Sequence, residues 1–231
     1  MSRIHDMGGR QGDGPVPEID MEELFHADWE KQTLALNLAA GALGKWNIDA
    51  SRHSRELLAP KDYAAFSYFE KWVSALTDLL VQTECLSEDD LNQQALRAAG
   101  TTPAALSAKT LRAENVAAAM SKGGPSLRES GPAPLYSVGD QVMTHSHNPN
   151  PVVPGGHTRL PQYAMGRVGR IVQRHGNHVL PDTNAHFAGE NPEPLYAVEF
   201  DAKTLWGSAA EDNADTMVLD LWQSYLKPVT T

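Results

Sequence analysis

The sequence predicts an α+β protein, with a mainly helical N-terminal domain followed by a small, closed or half-closed β-barrel. Three observations predict it. Apolar residues recur with a helical period from Met21 to about Leu127, a stretch rich in Gly, Pro and Ser follows, and from Leu135 the period falls to two. The 231 residues suffice for two such domains. The expected boundaries are an extended arm over 1–20, a helical domain over 21–127, a linker over 128–134 and a barrel domain over 135–231.

The arm opens with "MSRIHDMGGRQGDGPVP", which has no apolar period and many Gly and Pro residues. Such a segment builds no core alone and reads as a loose tail or as a strap ordered by a partner chain. The first helix is expected within "MEELFHADWEKQTLALNLAAGALG", carrying Trp29, Leu34, Leu36, Leu38 and Leu43 and stopped at Gly44. "NIDASRHSRELLA" is a short helix capped by Asn47 or Asp49. Ser67 and Glu70 form an S-x-x-E capping box, which starts a helix through "SYFEKWVSALTDLLVQ". Tyr68, Trp72, Leu76 and Leu79 fall on one face of it. Ser87 caps "SEDDLNQQALRAAG", Gly100 stops it, and Thr102-Pro103 opens a further helix.

"SKGGPSLRESGPAP", from Ser121, is a linker by composition. Beyond it, "YSVGDQVMTH", "GRVGRIVQR", "LYAVEFD" and "TMVLDLWQSYL" read as short strands separated by turn residues. Several short strands in about one hundred residues suggest a barrel of the SH3-like kind. The long gap from His145 to Arg159 exceeds a hairpin turn, and loops of that length in compact domains usually serve function or are disordered.

Composition removes several function classes. With 19 Lys and Arg against 29 Asp and Glu, the net charge is −10 and the pI near 5.3. That balance opposes a surface tracking nucleic-acid phosphates. The barrel region is acidic as well, with ten Asp and Glu against six Lys and Arg over 135–231. No run of eighteen apolar residues exists to span a membrane, and the N-terminal stretch lacks the apolar centre of a signal peptide. A cytoplasmic protein that binds neither nucleic acid nor membrane is expected.

Motifs for self-contained chemistry are sparse. The single cysteine, Cys85, excludes an internal disulfide or a multi-cysteine metal cage built from this chain alone, and reads as a small buried hydrophobe. His145 and His147 at i, i+2 would share one face of a strand, but no carboxylate nearby offers a third ligand, so no metal site is assigned. "GGRQGDG" follows no strand, so it is a poor phosphate loop. Arg52 and Arg159 are singled out because a guanidinium fork can hold two oxygens at once. Taken alone, each also fits a solvated surface arginine.

The order of "IHDMGGRQGDGPV", "FHADWE", "SYFEKW", "VGDQV", "HTRLPQYAMGRVGRIV", "HVLPDTNAHFAGENPEPLYAVEFDAKTLWG" and "DLWQSYLKP" resembles the nitrile hydratase β-subunit family over nearly the whole chain. The resemblance implies a subunit active only with an α subunit, as an αβ heterodimer that pairs into α2β2. The pair would hydrate small nitriles to amides at a non-corrin cobalt(III) or non-haem iron(III) ion held by α-subunit cysteines, two of them oxidised. No cofactor is implied on this chain. The family pattern maps the arginines that hydrogen-bond the oxidised sulfur oxygens onto Arg52 and Arg159. It maps substrate-channel positions onto Leu34, Asn37, Ile48, Ser51, Tyr68 and Trp72. Relatives often carry aromatic residues where Asn37 and Ser51 stand, which implies a wider or more polar channel. Trp72 is closer to the cobalt-type pattern than to the iron-type one.

Two alternatives are weighed against this expectation. A related thiocyanate hydrolase has the two halves on separate chains, whereas here they are joined. A non-catalytic SH3-like binding or assembly module would need only one of the halves, and the acidic barrel disfavours RNA.

Overall fold

The computed structural model describes residues 4–8, 24–92, 108–147, 150, 152–212 and 214–229. They form two compact units: a helical one up to Gly124, and a sheet unit from Pro125 onward that also takes in residues 4–8. The architecture is α+β. Arm residues 9–20, the expected Gly100 stop and the expected helix at Thr102-Pro103 lie outside the described residues.

In the helical unit, α1 (Asp28–Ala42), α2 (Ile48–Glu56), α3 (Pro60–Ala65), α4 (Tyr68–Gln82), α5 (Glu88–Asn92) and α6 (Ala113–Lys122) follow in order. The chain turns out of α1 at Gly44, whose φ of +64° suits glycine. Asn47 caps α2 by accepting the Ala50 N–H at 2.9 Å. The Ser67–Glu70 capping box forms as expected, with Glu70 accepting the Ser67 N–H at 2.7 Å. α4 packs against both α1 and α2. Its apolar face divides along its length: Ala75, Leu76 and Leu79 are buried, whereas Tyr68 at the N-terminal end is 64% exposed. α1 starts at Asp28, later than the sequence pattern suggests, and its buried residues are Glu30 and Thr33 rather than its leucines. Leu36 and Trp29 are exposed. Cys85 is half-buried, not buried as expected, and its Sγ receives the Thr83 hydroxyl at 3.5 Å.

The sheet unit holds β1 (Leu127–Arg128), β2 (Gln141–Thr144), β3 (Val168–His178), β4 (Glu193–Asp201), β5 (Thr216–Trp222) and β6 (Leu226–Pro228). Between them lie two short helices, α7 (Pro181–Asn184) and α8 (Ala202–Trp206). All ladders are antiparallel, in the order β5-β4-β3-β2-β6, with β1 on the far end of β3. Among the described residues no ladder joins β5 to β6, so the sheet is open rather than a closed barrel. β3 is irregular between Ile171 and Gln173 and again between Arg174 and Gly176, breaks that bend a strand. The core gathers Val142, Ile171, Tyr196, Val198, Phe200, Leu221, Tyr225 and Leu226 with Leu160, Ala164 and Leu205.

The segment read as linker is partly structured. Ser121 and Lys122 close α6, and Leu127–Arg128 pair with Asn177 and His178. The Arg128 guanidinium forks onto Glu190 at 2.7 and 2.6 Å, a tertiary contact that composition does not reveal.

Candidate functional site

The helical unit carries seven of the eight sequence-assigned site residues. Leu34 and Asn37 lie half-buried on α1, and the Asn37 amide donates to the Thr33 carbonyl at 2.9 Å. Ile48, Ser51 and Arg52 share α2 at spacings of three and four, so they lie on one side of that helix. Ile48 is 62% exposed. The Arg52 Nη1 donates to Asp49 Oδ1 at 3.1 Å, and the Asp49 side chain is buried. That contact holds one corner of the Arg52 guanidinium while the side chain stays 41% exposed. On α4, the rings of Tyr68 and Trp72 sit 5.5 Å apart.

One residue here was not singled out from sequence. The Arg55 guanidinium carbon stands 4.4 Å from the centroid of the Trp72 ring. Burial pulls the Arg55 pKa down, the Tyr68 phenol opposes that shift and the Arg52 cation adds to it, so Arg55 senses groups of both α2 and α4. The signal is absent from the sequence because positions 55 and 72 meet only after α2 packs on α4. The Ser54 hydroxyl fixes that packing by donating to the Ala75 carbonyl at 2.9 Å.

Arg159 belongs to the sheet unit. Its side chain is exposed, yet its turn is held from behind. The Arg159 N–H donates to the Tyr225 hydroxyl at 3.0 Å, and that hydroxyl donates in turn to the buried Asp182 carboxylate. Asn150, also buried, donates to the carbonyls of His157 at 2.7 Å and Asp182 at 3.0 Å. Its own oxygen accepts the N–H groups of Val152 and Val153. The His157 N–H donates to His186 Nε2 at 3.1 Å. Gly156 leaves room for this network, since a Cβ there would lie 2.6 Å from His186 Nε2. Immediately after the turn, Asp6 accepts the Gln162 N–H at 3.0 Å. The gap from His145 to Arg159 is therefore cross-linked to "PDTNAH" and to the C-terminal "SYL" by hydrogen bonds.

Asp182 is a buried carboxylate with a strongly raised pKa. Burial dominates and pushes its pKa up to about 7, against the lowering effects of the Tyr225 hydrogen bond and of His157. The Tyr225 phenol is raised well above its ordinary value, first by burial and then by Asp182. Sequence reasoning missed both residues, because nothing in a lone Asp signals burial and acids are rarely buried.

His145 and His147 follow the end of β2 rather than lying on it, so the strand geometry that would aim both at one ion is absent. His147 Nδ1 instead contacts the Ser146 hydroxyl at 3.0 Å. Among the described residues, no helix is long and apolar enough to cross a membrane.

Residues 1–117 match the family described as nitrile hydratase beta subunit, N-terminal, and residues 125–228 match its C-terminal counterpart. The low-molecular weight cobalt-containing nitrile hydratase subunit beta of Rhodococcus rhodochrous is 36% identical over 233 residues, covering 99% of this chain and all of that protein. The nitrile hydratase subunit beta of Pseudomonas putida is 36% identical over 230 residues, with 99% of this chain and all of that protein covered. A recombinant apo-enzyme thiocyanate hydrolase chain from Thiobacillus thioparus is similar over 44% of this chain and 82% of its own, with 24% identity and a TM-score of 0.39.

Proposed function

The chain belongs to the nitrile hydratase β-subunit family, and on that premise we propose that Arg52 and Arg159 are its contribution to a nitrile-hydrating centre completed by an α subunit. The observation that carries the reading is the arginine turn. Arg159 has its backbone tied to Tyr225 and its side chain left exposed, an arrangement that orients a cation outward from a rigid base. Arg52 is similar, its guanidinium braced at Nη1 by Asp49 while the side chain stays partly exposed.

The chemistry of the donor set fits a metal held by the partner. A thiolate cage needs several cysteines, and this chain has one. Oxidised thiolate ligands are anionic and oxygen-rich. In a site shielded from water they need charge-assisted donors, which a permanently charged guanidinium supplies in pairs. When bound, the metal supplies Lewis acidity for adding water to the nitrile. Arg52 and Arg159 hold ligand oxygens in place and lower the cost of their charge. Tyr68 offers a hydroxyl donor to substrate or a ligand oxygen, while Leu34, Asn37, Ile48, Ser51 and Trp72 shape the substrate path.

Exposed apolar side chains support an α partner. Trp29, Leu36, Ile48, Leu57 and Tyr68 are each at least 41% exposed on the helical unit, and surfaces of that kind mark interfaces. We take the assembly as an αβ heterodimer paired into α2β2, with cobalt the favoured metal because the Rhodococcus rhodochrous relative is named as cobalt-containing. A cytoplasmic setting suits a chain whose one thiol forms no bridge. The bent β3 supports reading the open sheet as a half-closed relative of the SH3-like barrel.

The test is substitution of each arginine by lysine in the chain co-produced with its α subunit. Losing the planar fork is expected to lower turnover about 10- to 100-fold, at unchanged metal content and cysteine oxidation. Wild-type turnover in either variant, with those two quantities unchanged, refutes the assigned roles.

A further inference from the structure

We propose that Arg55 is a specificity-determining residue, which clamps the Trp72 ring and so sets the preference for flat aromatic nitriles over small aliphatic ones. The inference rests on the reading of Tyr68 and Trp72 as pocket residues and goes beyond it by naming what fixes them.

Arg55 is a cation acted on by the neighbouring Glu56 carboxylate but not paired with it. Arg55 is half-buried, and among the described residues no carboxylate lies within ion-pair distance of it. Its guanidinium lies 4.4 Å from the centroid of Trp72 instead. A π face attracts a cation, and the attraction strengthens as water is removed. Arg55 also sits in the last turn of α2, where the helix dipole favours positive charge. The frame beneath the stack is tight, since the Ser54 hydroxyl on the same helix bonds the Ala75 carbonyl of α4.

The geometric consequence falls on Trp72. With one face covered by Arg55 and Tyr68 beside it at 5.5 Å and 42°, the indole cannot turn without breaking the stack. A fixed ring presents a flat wall, and a flat wall discriminates by shape. An aromatic nitrile gains stacking contact with it, whereas a two- or three-carbon nitrile gains little. Lysine is a poor replacement because it lacks the planar group that stacks.

The test uses the assembled αβ enzyme with benzonitrile and propionitrile, and near-ultraviolet circular dichroism of the full chain. The spectrum of wild type minus Trp72→Phe isolates the Trp72 signal among the five tryptophans. Arg55→Met is expected to weaken that signal. It should also raise KM for benzonitrile about three- to ten-fold, between the exposed and fully desolvated limits of a cation–π contact, with kcat and the propionitrile KM nearly unchanged. Arg55→Lys should fall between the two. If Arg55→Met fails to assemble, Arg55→Gln, which also loses the charge, takes its place. A neutral variant with an unchanged Trp72 signal and an unchanged benzonitrile KM overturns the clamp, provided Trp72→Phe itself alters that KM. If Trp72→Phe leaves it unaltered, the pocket reading fails and the specificity role falls with it.

Discussion

Replacing Asp182 with asparagine should change how the sheet unit responds to pH. In the folded chain the Asp182 pKa is pushed from its ordinary 3.8 up to about 7, chiefly by burial. The groups that face it are Tyr225, which donates to it, His157, which lowers its pKa, and Glu193, which raises it. The folded state therefore binds one more proton than the unfolded state between those two values. Because the folded pKa is raised, this stability is full below about pH 4 and is lost as pH rises toward 7. At about 1.4 kcal/mol per pH unit, the loss amounts to roughly 4 kcal/mol. That is a large share of the ~5–15 kcal/mol that typically holds a domain. Asparagine keeps an oxygen for the Tyr225 hydroxyl and cannot ionise. The assay is urea unfolding of the full chain and of Asp182→Asn from pH 4 to pH 8. Tryptophan emission would be followed, with Trp206 and Trp222 reporting on the sheet unit. The stability of the variant relative to wild type should climb by about 4 kcal/mol across this range and level off above pH 7. Any constant effect of the amide cancels in that difference. A difference that is flat, or that falls with pH, refutes the reasoning, because it would mean that the native state holds Asp182 ionised without penalty.

Two further predictions concern packing. In Gly156→Ala the new Cβ would meet His186 Nε2 at 2.6 Å, Asn150 Nδ2 at 2.9 Å and Val153 Cβ at 2.9 Å. Overpacking of this kind costs about 1–3 kcal/mol, so the melting temperature should fall by roughly 2–12 °C, and an unchanged melting curve would count against the tight turn. Leu79→Ala removes a side chain only 3% exposed at the contact of α4 with its neighbours. A loss of about 2–5 kcal/mol in urea unfolding, at unchanged slope, is expected; a loss below about 1 kcal/mol would show that Leu79 is not a core residue.

Local chemistry was legible where it acts within a few residues. The Ser67–Glu70 box, the Asn47 cap and the Gly44 stop each involve groups at most four positions apart, so the sequence declares them. The four longer strands declared themselves through β-branched and aromatic runs. What stayed hidden depends on distant partners. β1 is two residues long and is held by the reach of Arg128 to Glu190, 62 positions away. Arg55 meets Trp72 only through helix packing, and Asp182 is buried by elements that precede and follow it. The α4 stripe was visible as one face, yet its division into a buried end and an exposed end depends on where α1 and α2 stop covering it. Arg52 and Arg159 could be picked out only through the family resemblance, since a braced arginine and a solvated one look alike in sequence.

The hydrogen bond from the Gln162 N–H to Asp6 joins positions 156 residues apart. During synthesis at about 5–20 residues per second, Asp6 emerges roughly 8–30 s before its partner. The whole helical unit is made in that interval. The segment around Asp6 therefore precedes the helical unit in synthesis, yet it cannot make this contact until Gln162 has emerged. A chaperone that shields "IHDMGG" early, or a bulky fusion placed ahead of it, would act on this late pairing rather than on the helical unit made before it.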